Sequence, residues 1–341
     1  MRQCCDSVFK MTRRDAIKKG SVAGLVPMFP MVVTHLKKDN AMTKDYDVII
    51  IGGSYAGLSA AMALGRSLRN VLIIDSGLPC NRQTPHSHNF ITQDGSTPAG
   101  ISQKAKSQVL KYDTVSFIED KAIKGRKEEG GFYVLTESGK EFKAKKLVIA
   151  TGIKDIMPSV KGFSECWGIS VVHCPYCHGY EIRNKKTAII ANGEVAFHLA
   201  PLVNNLTDNL SVLTNGKADF TPEQLLKLKE HNIHIIEKEI TEVEHENGYM
   251  KNVVFDDGST VHFEAAYGPL PFQQHLDIPE FIGCELTEQG YIRVDMMQKT
   301  TVEGVFACGD NSIRMRSLAI AISAGATVGA VVNMELSKEQ F

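Results

Sequence analysis

Tyr46-Asp47-Val48-Ile49-Ile50-Ile51-Gly52-Gly53-Ser54-Tyr55-Ala56-Gly57 carries the first strong signal of architecture. Tyr46 to Ile51 is a largely apolar run of the kind a buried parallel strand shows. A glycine turn follows at once, and Leu58 to Leu64 reads as a helix. Strand, glycine turn and helix in that order are the context of a dinucleotide-binding fingerprint. Gly52 permits the tight turn and Gly57 the close helix–strand packing, with Gly53 and Ala56 between them. Ser54 replaces the middle glycine; it is small and can still donate a hydrogen bond. The next strand, Val71 to Ile74, ends in Asp75, 23 residues after Gly52. That is where a carboxylate reaches a ribose hydroxyl.

Working outward, Ser76 to Gly100 is polar and rich in turn residues, which suggests a binding loop. It holds Asn81, Arg82, His86 and His88. His86 and His88 alone do not make a metal site, because no third ligand stands at suitable spacing, and no metal is expected. Ala99 to Tyr112 reads as an amphipathic helix. Phe132 to Thr136 and Glu141 to Ala144 read as a hairpin around Ser138-Gly139. Leu147 to Ala150 is a buried strand leading into Thr151-Gly152.

The same order recurs further along. Thr187 to Ile190 is a strand, Ala191 to Ala196 stands at a glycine turn, and a helix interrupted by Pro201 runs to about Leu206. Leu210 to Thr214 is the next strand, and Asn252 to Phe255 with Thr260 to Glu264 form a second hairpin. Ala265-Ala266-Tyr267-Gly268 repeats the place of Ala150-Thr151-Gly152. This is an internal repeat of a nucleotide-binding plan. The copies differ where it matters. Ala191 replaces the first glycine, and Thr214 stands where Asp75 stood. Thr214 is neither the carboxylate that holds an NAD ribose nor an arginine for a 2′-phosphate, so NAD(P)H binding here is uncertain.

Near the C-terminus, Tyr291 to Val294 and Val302 to Ala307 read as strands, the second running into Cys308-Gly309-Asp310. A helix rich in small residues, Leu318 to Ala330, follows and allows close approach of a neighbour. Asp310 at a strand end suits a ribityl hydroxyl.

Between the two nucleotide-type units stands Cys174-Pro175-Tyr176-Cys177-His178. Two cysteines at this spacing can close a redox disulfide or bind a metal. At a helix N-terminus the first thiol is acidified and becomes a nucleophile. His178 can act as acid or base for a thiol. Cys-Pro-Tyr-Cys is also a glutaredoxin motif, and Cys-x-x-Cys-His is also the c-type haem attachment motif. Haem attachment gives no reason for two dinucleotide-type units, and the residues after His178 read as entering a strand.

Together these residues resemble the low-molecular-weight thioredoxin reductases, which are FAD-dependent pyridine nucleotide–disulfide oxidoreductases. The resemblance spans residues 45 to 335. It rests on Gly52 to Gly57 with Asp75, Ala150-Thr151-Gly152, Cys174 with Cys177, and Cys308-Gly309-Asp310. It implies an α/β fold of two Rossmann-like three-layer nucleotide-binding domains, the second inserted in the first. FAD binding would fall to 45–155 and 271–341, and the dithiol and NAD(P)-type unit to 156–270. It implies that Cys177 exchanges electrons with the flavin and Cys174 with a substrate sulfur, and that the protein is a homodimer. His178 replaces an acid of the reductases, and the basic cluster that reads NADPH is missing. Cys174 to Tyr180 also resembles a side branch of flavin dithiol oxidases, which pass electrons from a dithiol to oxygen. The expected substrate is therefore a dithiol or disulfide, small or on a thioredoxin-like protein.

Composition agrees. The chain has 341 residues, a net charge of −1, 43% apolar and 7% aromatic residues, which fits two domains and argues against a nucleic-acid surface. Eight cysteines are too few for a disulfide framework; Cys80, Cys166, Cys284 and Cys308 read as small buried side chains. Thr12-Arg13-Arg14-Asp15-Ala16-Ile17-Lys18 matches a twin-arginine export signal, so residues 1–41 read as a leader and the protein as exported and periplasmic. The apolar run Val22 to Val33 is broken by Pro27 and Pro30 and is too short for a membrane span. A start at Met42 would instead give a cytoplasmic protein.

Overall fold

The computed structural model describes residues 45–341. The leader expected at 1–41 and the alternative start at Met42 lie outside them. The first unit opens with β1 (Asp45–Ile51), α1 (Tyr55–Arg66) and β2 (Val71–Asp75), then α2 (Pro98–Val109) and β3 (Val115–Glu119). An antiparallel run β4 (Ala122–Glu128), β5 (Gly131–Thr136) and β6 (Glu141–Ile149) completes its first part. The chain leaves through β7 (Ile153–Asp155).

The second unit contains α3 (Phe163–Cys166), β8 (Val171–Val172), α4 (Pro175–His178), β9 (Thr187–Ile190), α5 (Gly193–Asn204) and β10 (Leu210–Leu213). It continues with α6 (Pro222–Glu230), β11 (His234–Ile236), β12 (Ile240–Glu246), β13 (Tyr249–Phe255), β14 (Thr260–His262) and β15 (Ala265–Tyr267). The chain returns through β16 (Phe272–Gln274), then α7 (Ile278–Ile282), β17 (Val305–Ala307) and α8 (Leu318–Gln340). β16 pairs antiparallel with β7, so the outgoing and returning chains form one two-stranded link.

The first sheet has the order β3-β2-β1-β6-β5-β4, with β17 parallel to the C-terminal half of β6. Strand side chains alternate between faces. Val48 and Ile50 join α1 and α8 in one core; Ile49 and Ile51 join β5 and α7 in the other. The second sheet, β11-β10-β9-β15-β8, repeats this plan with α5 and α6 on one side and the β12–β14 meander on the other. Each unit is thus three-layered: helices, parallel sheet, antiparallel sheet.

Small residues decide how α8 sits. Ala321, Ala324, Gly325, Val328, Gly329 and Val332 form one buried helical stripe. A Cβ on Gly325 would overlap the Ala56 carbonyl, and one on Gly329 would lie 2.6 Å from Ala63 Cβ. The close neighbour that the alanine- and glycine-rich sequence allows is therefore α1. Ser59 Oγ donates to Ile322 O at 2.7 Å across this seam.

Several elements differ from the sequence expectation. Tyr291–Val294 is not a strand; only Ile292 bridges Leu286. Residues after His178 run through turns before β9. Pro201 lies inside α5 without ending it, and α8 continues to Gln340 rather than stopping at Ala330. Strand periodicity missed β4 and β12, whose exposed faces are charged.

Candidate active site

A cleft of about 1530 Å³, its open mouth included, runs between the two units. Gly52, Ser54, Tyr55 and Ala56 supply one wall, from the glycine turn and the start of α1. Gly53 and Gly57 stand behind that wall. Gly53 N–H donates to Asp75 Oδ2 at 2.5 Å, and a Cβ on Gly57 would overlap the Gly52 carbonyl. Gly52 itself has φ +106°, a conformation glycine adopts readily. Asp75 lines the cleft, its Oδ1 accepting from Gly77 N–H at 2.8 Å. Thr151 and Gly152 follow β6, and Gly309 and Asp310 follow β17, all on the lining. Asn311 is buried and ties these two turns together, its amide donating to Ile149 O at 2.9 Å.

The second unit contributes His173, Cys177 and His178. Cys174, the N-cap of α4, does not line the cleft. The two cysteines are free thiols, and both are half-buried. The Cys177 thiol donates to Cys174 and holds it down to about 7; backbone N–H groups of Cys177 and Tyr176 and the Arg316 guanidinium add to this. Cys177 moves the opposite way, since its proton is held by Cys174 and burial disfavours its charge. Cys174 is therefore the readily ionised thiol, and Cys177 the one that looks into the cleft.

His178, expected as acid or base for a thiol, is set up as a base. Burial, then nearby His88, pushes it down to about 4, so at neutral pH it is an uncharged proton acceptor. His86 and His88 are not a pair of ligands. His86 Nδ1 meets Gly95 O at 2.9 Å, whereas His88 Nδ1 lies 3.4 Å from Glu181 Oε1 of the second unit and 3.7 Å from Asp94 Oδ2. Among the described residues no group of side chains is arranged to hold a metal.

Three cleft residues escaped the sequence reading. Arg316 makes a paired contact with Asp155, 2.8 and 3.3 Å, and reaches Asp310 Oδ2 at 3.4 Å. It stands in an irregular stretch where no periodicity marks it. His173 has a buried Nε2 with no partner among the described residues, and burial pushes it down to about 3. Cys80 is not a buried structural thiol like Cys166, Cys284 and Cys308: it opens onto the cleft with Sγ 4.0 Å from Asp310 Oδ2. The enclosing walls still desolvate it and push it up to about 11.

The second glycine turn is closed by the chain's own loop. Asn192 Oδ1 accepts from Gly193 N–H at 2.8 Å and Asp219 N–H at 2.9 Å, and its amide donates to Lys217 O at 2.8 Å. Thr214 is buried, and its hydroxyl donates to Gly216 O at 2.6 Å. Asp219 O lies 3.1 Å from where a Gly193 Cβ would stand. Glu194 occupies the first turn of α5.

Comparison with known proteins decides the family. A family profile described as pyridine nucleotide-disulphide oxidoreductase matches residues 46–325. The chain belongs to that family. It is 30% identical over 308 residues to thioredoxin reductase sirT of Leptosphaeria maculans, covering 85% of this chain and 94% of the relative. Among solved structures, an oxidoreductase from Agrobacterium tumefaciens superimposes with a TM-score of 0.81 at 35% identity, covering 86% of this chain and 99% of that one. A thioredoxin reductase described as putative, from Bacillus anthracis, superimposes at 0.83 with 29% identity, covering 87% and 100%. This family member is thus an FAD-dependent disulfide oxidoreductase of the thioredoxin reductase-like kind.

The cleft fits FAD. The first turn of α1 carries no acidic residue and Ser54 makes no side-chain cap, so its backbone N–H groups are open to a pyrophosphate. Asp75 presents a carboxylate to the cleft, and Ile51, Ala150, Leu318 and Ala321 offer apolar wall to flat rings. The first turn of α8 likewise carries no acid.

Proposed function

We propose that the enzyme oxidises a substrate dithiol to its disulfide, with dioxygen as final acceptor, and does not draw on NAD(P)H. The observation that carries this is the second glycine turn. Its helix N-terminus is capped by Asn192, and the Lys217–Asp219 loop is tied across it. Asp219 and Glu194 bring negative charge to the place where a nucleotide would bring phosphates. No arginine stands in the loop after β10, where a 2′-phosphate would need one. Each absent charge-assisted bond is worth about 1.5–3 kcal/mol, or one to two decades of affinity.

In this reading a substrate thiolate attacks Cys174 of the oxidised Cys174–Cys177 pair, and Cys177 departs with the electron pair toward the cleft. A second substrate thiol then displaces Cys174, closing the substrate disulfide. The backbone N–H groups of Tyr176 and Cys177 and the Arg316 guanidinium favour Cys174 leaving as a thiolate. Neutral His178 takes up the substrate thiol proton. Bound FAD would supply the two-electron acceptor that dioxygen re-oxidises, forming hydrogen peroxide. Arg316, held by Asp155 and Asp310, stabilises thiolate charge on both cysteines.

The competing reading is an NAD(P)H-dependent thioredoxin-disulfide reductase, favoured by the names of the relatives. Anaerobic mixing of the holoenzyme with NADPH, NADH and dithiothreitol separates the two. Bleaching of the flavin by the dithiol alone, reversed by air, is expected. Rapid bleaching by micromolar NADPH would restore the reductase. The same reading takes the enzyme as a homodimer, which light scattering tests. On the twin-arginine stretch it takes the enzyme as exported, which fractionation of the cells that make it tests.

A further inference from the structure

Tyr267 ends β15 at the point where β8 leads into the dithiol. The parallel register pairs Tyr267 with Val172, and Gly268 N–H donates to Val172 O at 2.8 Å. Cys174 therefore lies two residues beyond the strand position beside Tyr267. The tyrosine is 1% exposed and packs with Val172 and Ile182 in the helix-side core. Its hydroxyl is buried with no hydrogen-bond partner among the described residues. An unpaired buried hydroxyl carries a desolvation cost with nothing in return, and phenylalanine would fill the same space without it. Burial holds the phenol proton on, and the negative charges of Cys174 and then Glu181 hold it further. It is a donor at every pH at which Cys174 ionises.

The exchange chemistry leaves a vacancy for such a donor. In the dithiol state Cys177 donates to Cys174. After a substrate sulfur has bonded to Cys174, the Cys174–Cys177 bond is broken and Cys177 has kept its electron pair. It is then a thiolate and has no proton to give. Cys174 must next leave the mixed disulfide with an electron pair of its own, as the substrate sulfurs join. We propose that Tyr267 Oη donates a hydrogen bond to the Cys174 sulfur at this second step. The other groups facing Cys174 are the backbone N–H groups of Tyr176 and Cys177 and the Arg316 guanidinium, which Asp155 and Asp310 already hold. Glu181 stands by the phenol, and its Oε1 is the atom near His88. The proposal rests on the dithiol-oxidising direction and on Cys174 being the exchange thiol, not on which acceptor takes the electrons.

The test is the pH dependence of Cys174 alkylation by iodoacetamide in the FAD-loaded Cys177→Ala enzyme, with and without Tyr267→Phe. Removing the hydroxyl is expected to raise the midpoint by about one pH unit and to slow alkylation about tenfold below it. Flavin content should stay unchanged, and the melting temperature should not fall. In the otherwise wild-type enzyme, Tyr267→Phe should lower kcat for a dithiol more than it changes KM. An unchanged alkylation midpoint overturns the proposal. So does a Tyr267→Phe chain that fails to fold, because the hydroxyl would then hold the fold rather than await a sulfur. Bleaching of the wild-type flavin by NADPH would sink the dithiol-oxidase reading, whereas the alkylation midpoint separately reads whether the Tyr267 hydroxyl reaches the Cys174 sulfur.

Discussion

At the first glycine turn, α1 points an uncapped N-terminus, free of acidic side chains, into the cleft. At the second, α5 starts on a capped residue, carries Glu194 in its first turn and lies under a loop anchored by Phe220 in the core. Both turns keep strand, turn and helix, because the cores on either side of each sheet need those elements in register. What differs is a handful of side chains in the turn and in the loop after the second strand. A duplicated fold is maintained by packing; its binding site is maintained only by ligand contacts and can be overwritten without disturbing the core.

The largest test of this contrast is at the buried glycines. Gly57→Val would force a side chain into the Gly52 carbonyl. It should cost at least about 3 kcal/mol of stability and give a colourless protein that FAD does not restore, read by absorbance and thermal melting. Gly193→Ala, at φ +56° in the second turn, should cost about 1 kcal/mol and leave the protein yellow. Loss of colour in the second variant would break the comparison.

Next in size, Cys174→Ser and Cys177→Ser should each lower dithiol turnover by at least about a thousandfold, roughly 4 kcal/mol in the barrier. Cys284→Ser, buried outside the cleft, should keep turnover. Wild-type rates in either dithiol variant would remove the redox assignment.

A middle-sized effect concerns acid. His178 and His173 are held below their ordinary value near 6.5, to about 4 and about 3. The unfolded chain then binds more protons, so their contribution is fully present above pH 6.5 and is lost as pH falls through 4 toward 3. Denaturant titrations should show up to about 5 kcal/mol lost between pH 6.5 and 4 in the wild-type enzyme, and less in His178→Asn. Dithiol turnover should fall over the same lower range as His178 gains its proton. A flat stability profile would mean that these imidazoles are not desolvated.

The smallest effect belongs to the cap. Asn192→Ala removes three hydrogen bonds that tie the loop over α5 and should cost about 1 kcal/mol, with dithiol turnover unchanged. If the loosened turn then let NADPH bleach the flavin, the loop rather than the lost arginine would be the barrier to nucleotide.

The apolar run before Gly52, the glycine spacing and Asp75 prescribe a Rossmann-type unit from local rules alone, because strand burial, turn geometry and helix packing each need particular residues at fixed offsets. The repeat and the place of the Cys174–Cys177 pair are legible for the same reason. Val302–Ala307 shortened to β17 and Tyr291–Val294 lost its strand because edge pairing depends on partners far along the chain. Arg316, His173, Cys80 and Tyr267 gave no signal, since each acquires its role only from what lies across a cleft or a sheet.

The sequence by itself thus determined two nucleotide-type units, the first with an intact fingerprint, and a dithiol between them. Tertiary structure alone decided that His178 is neutral and that the second turn is filled by Asp219; that Cys177 rather than Cys174 lines the cleft agrees with what the resemblance implied. The physical reason is range: glycine turns and strand periods are written in neighbouring residues, whereas desolvation, charge pairing and steric filling depend on contacts between segments distant in sequence.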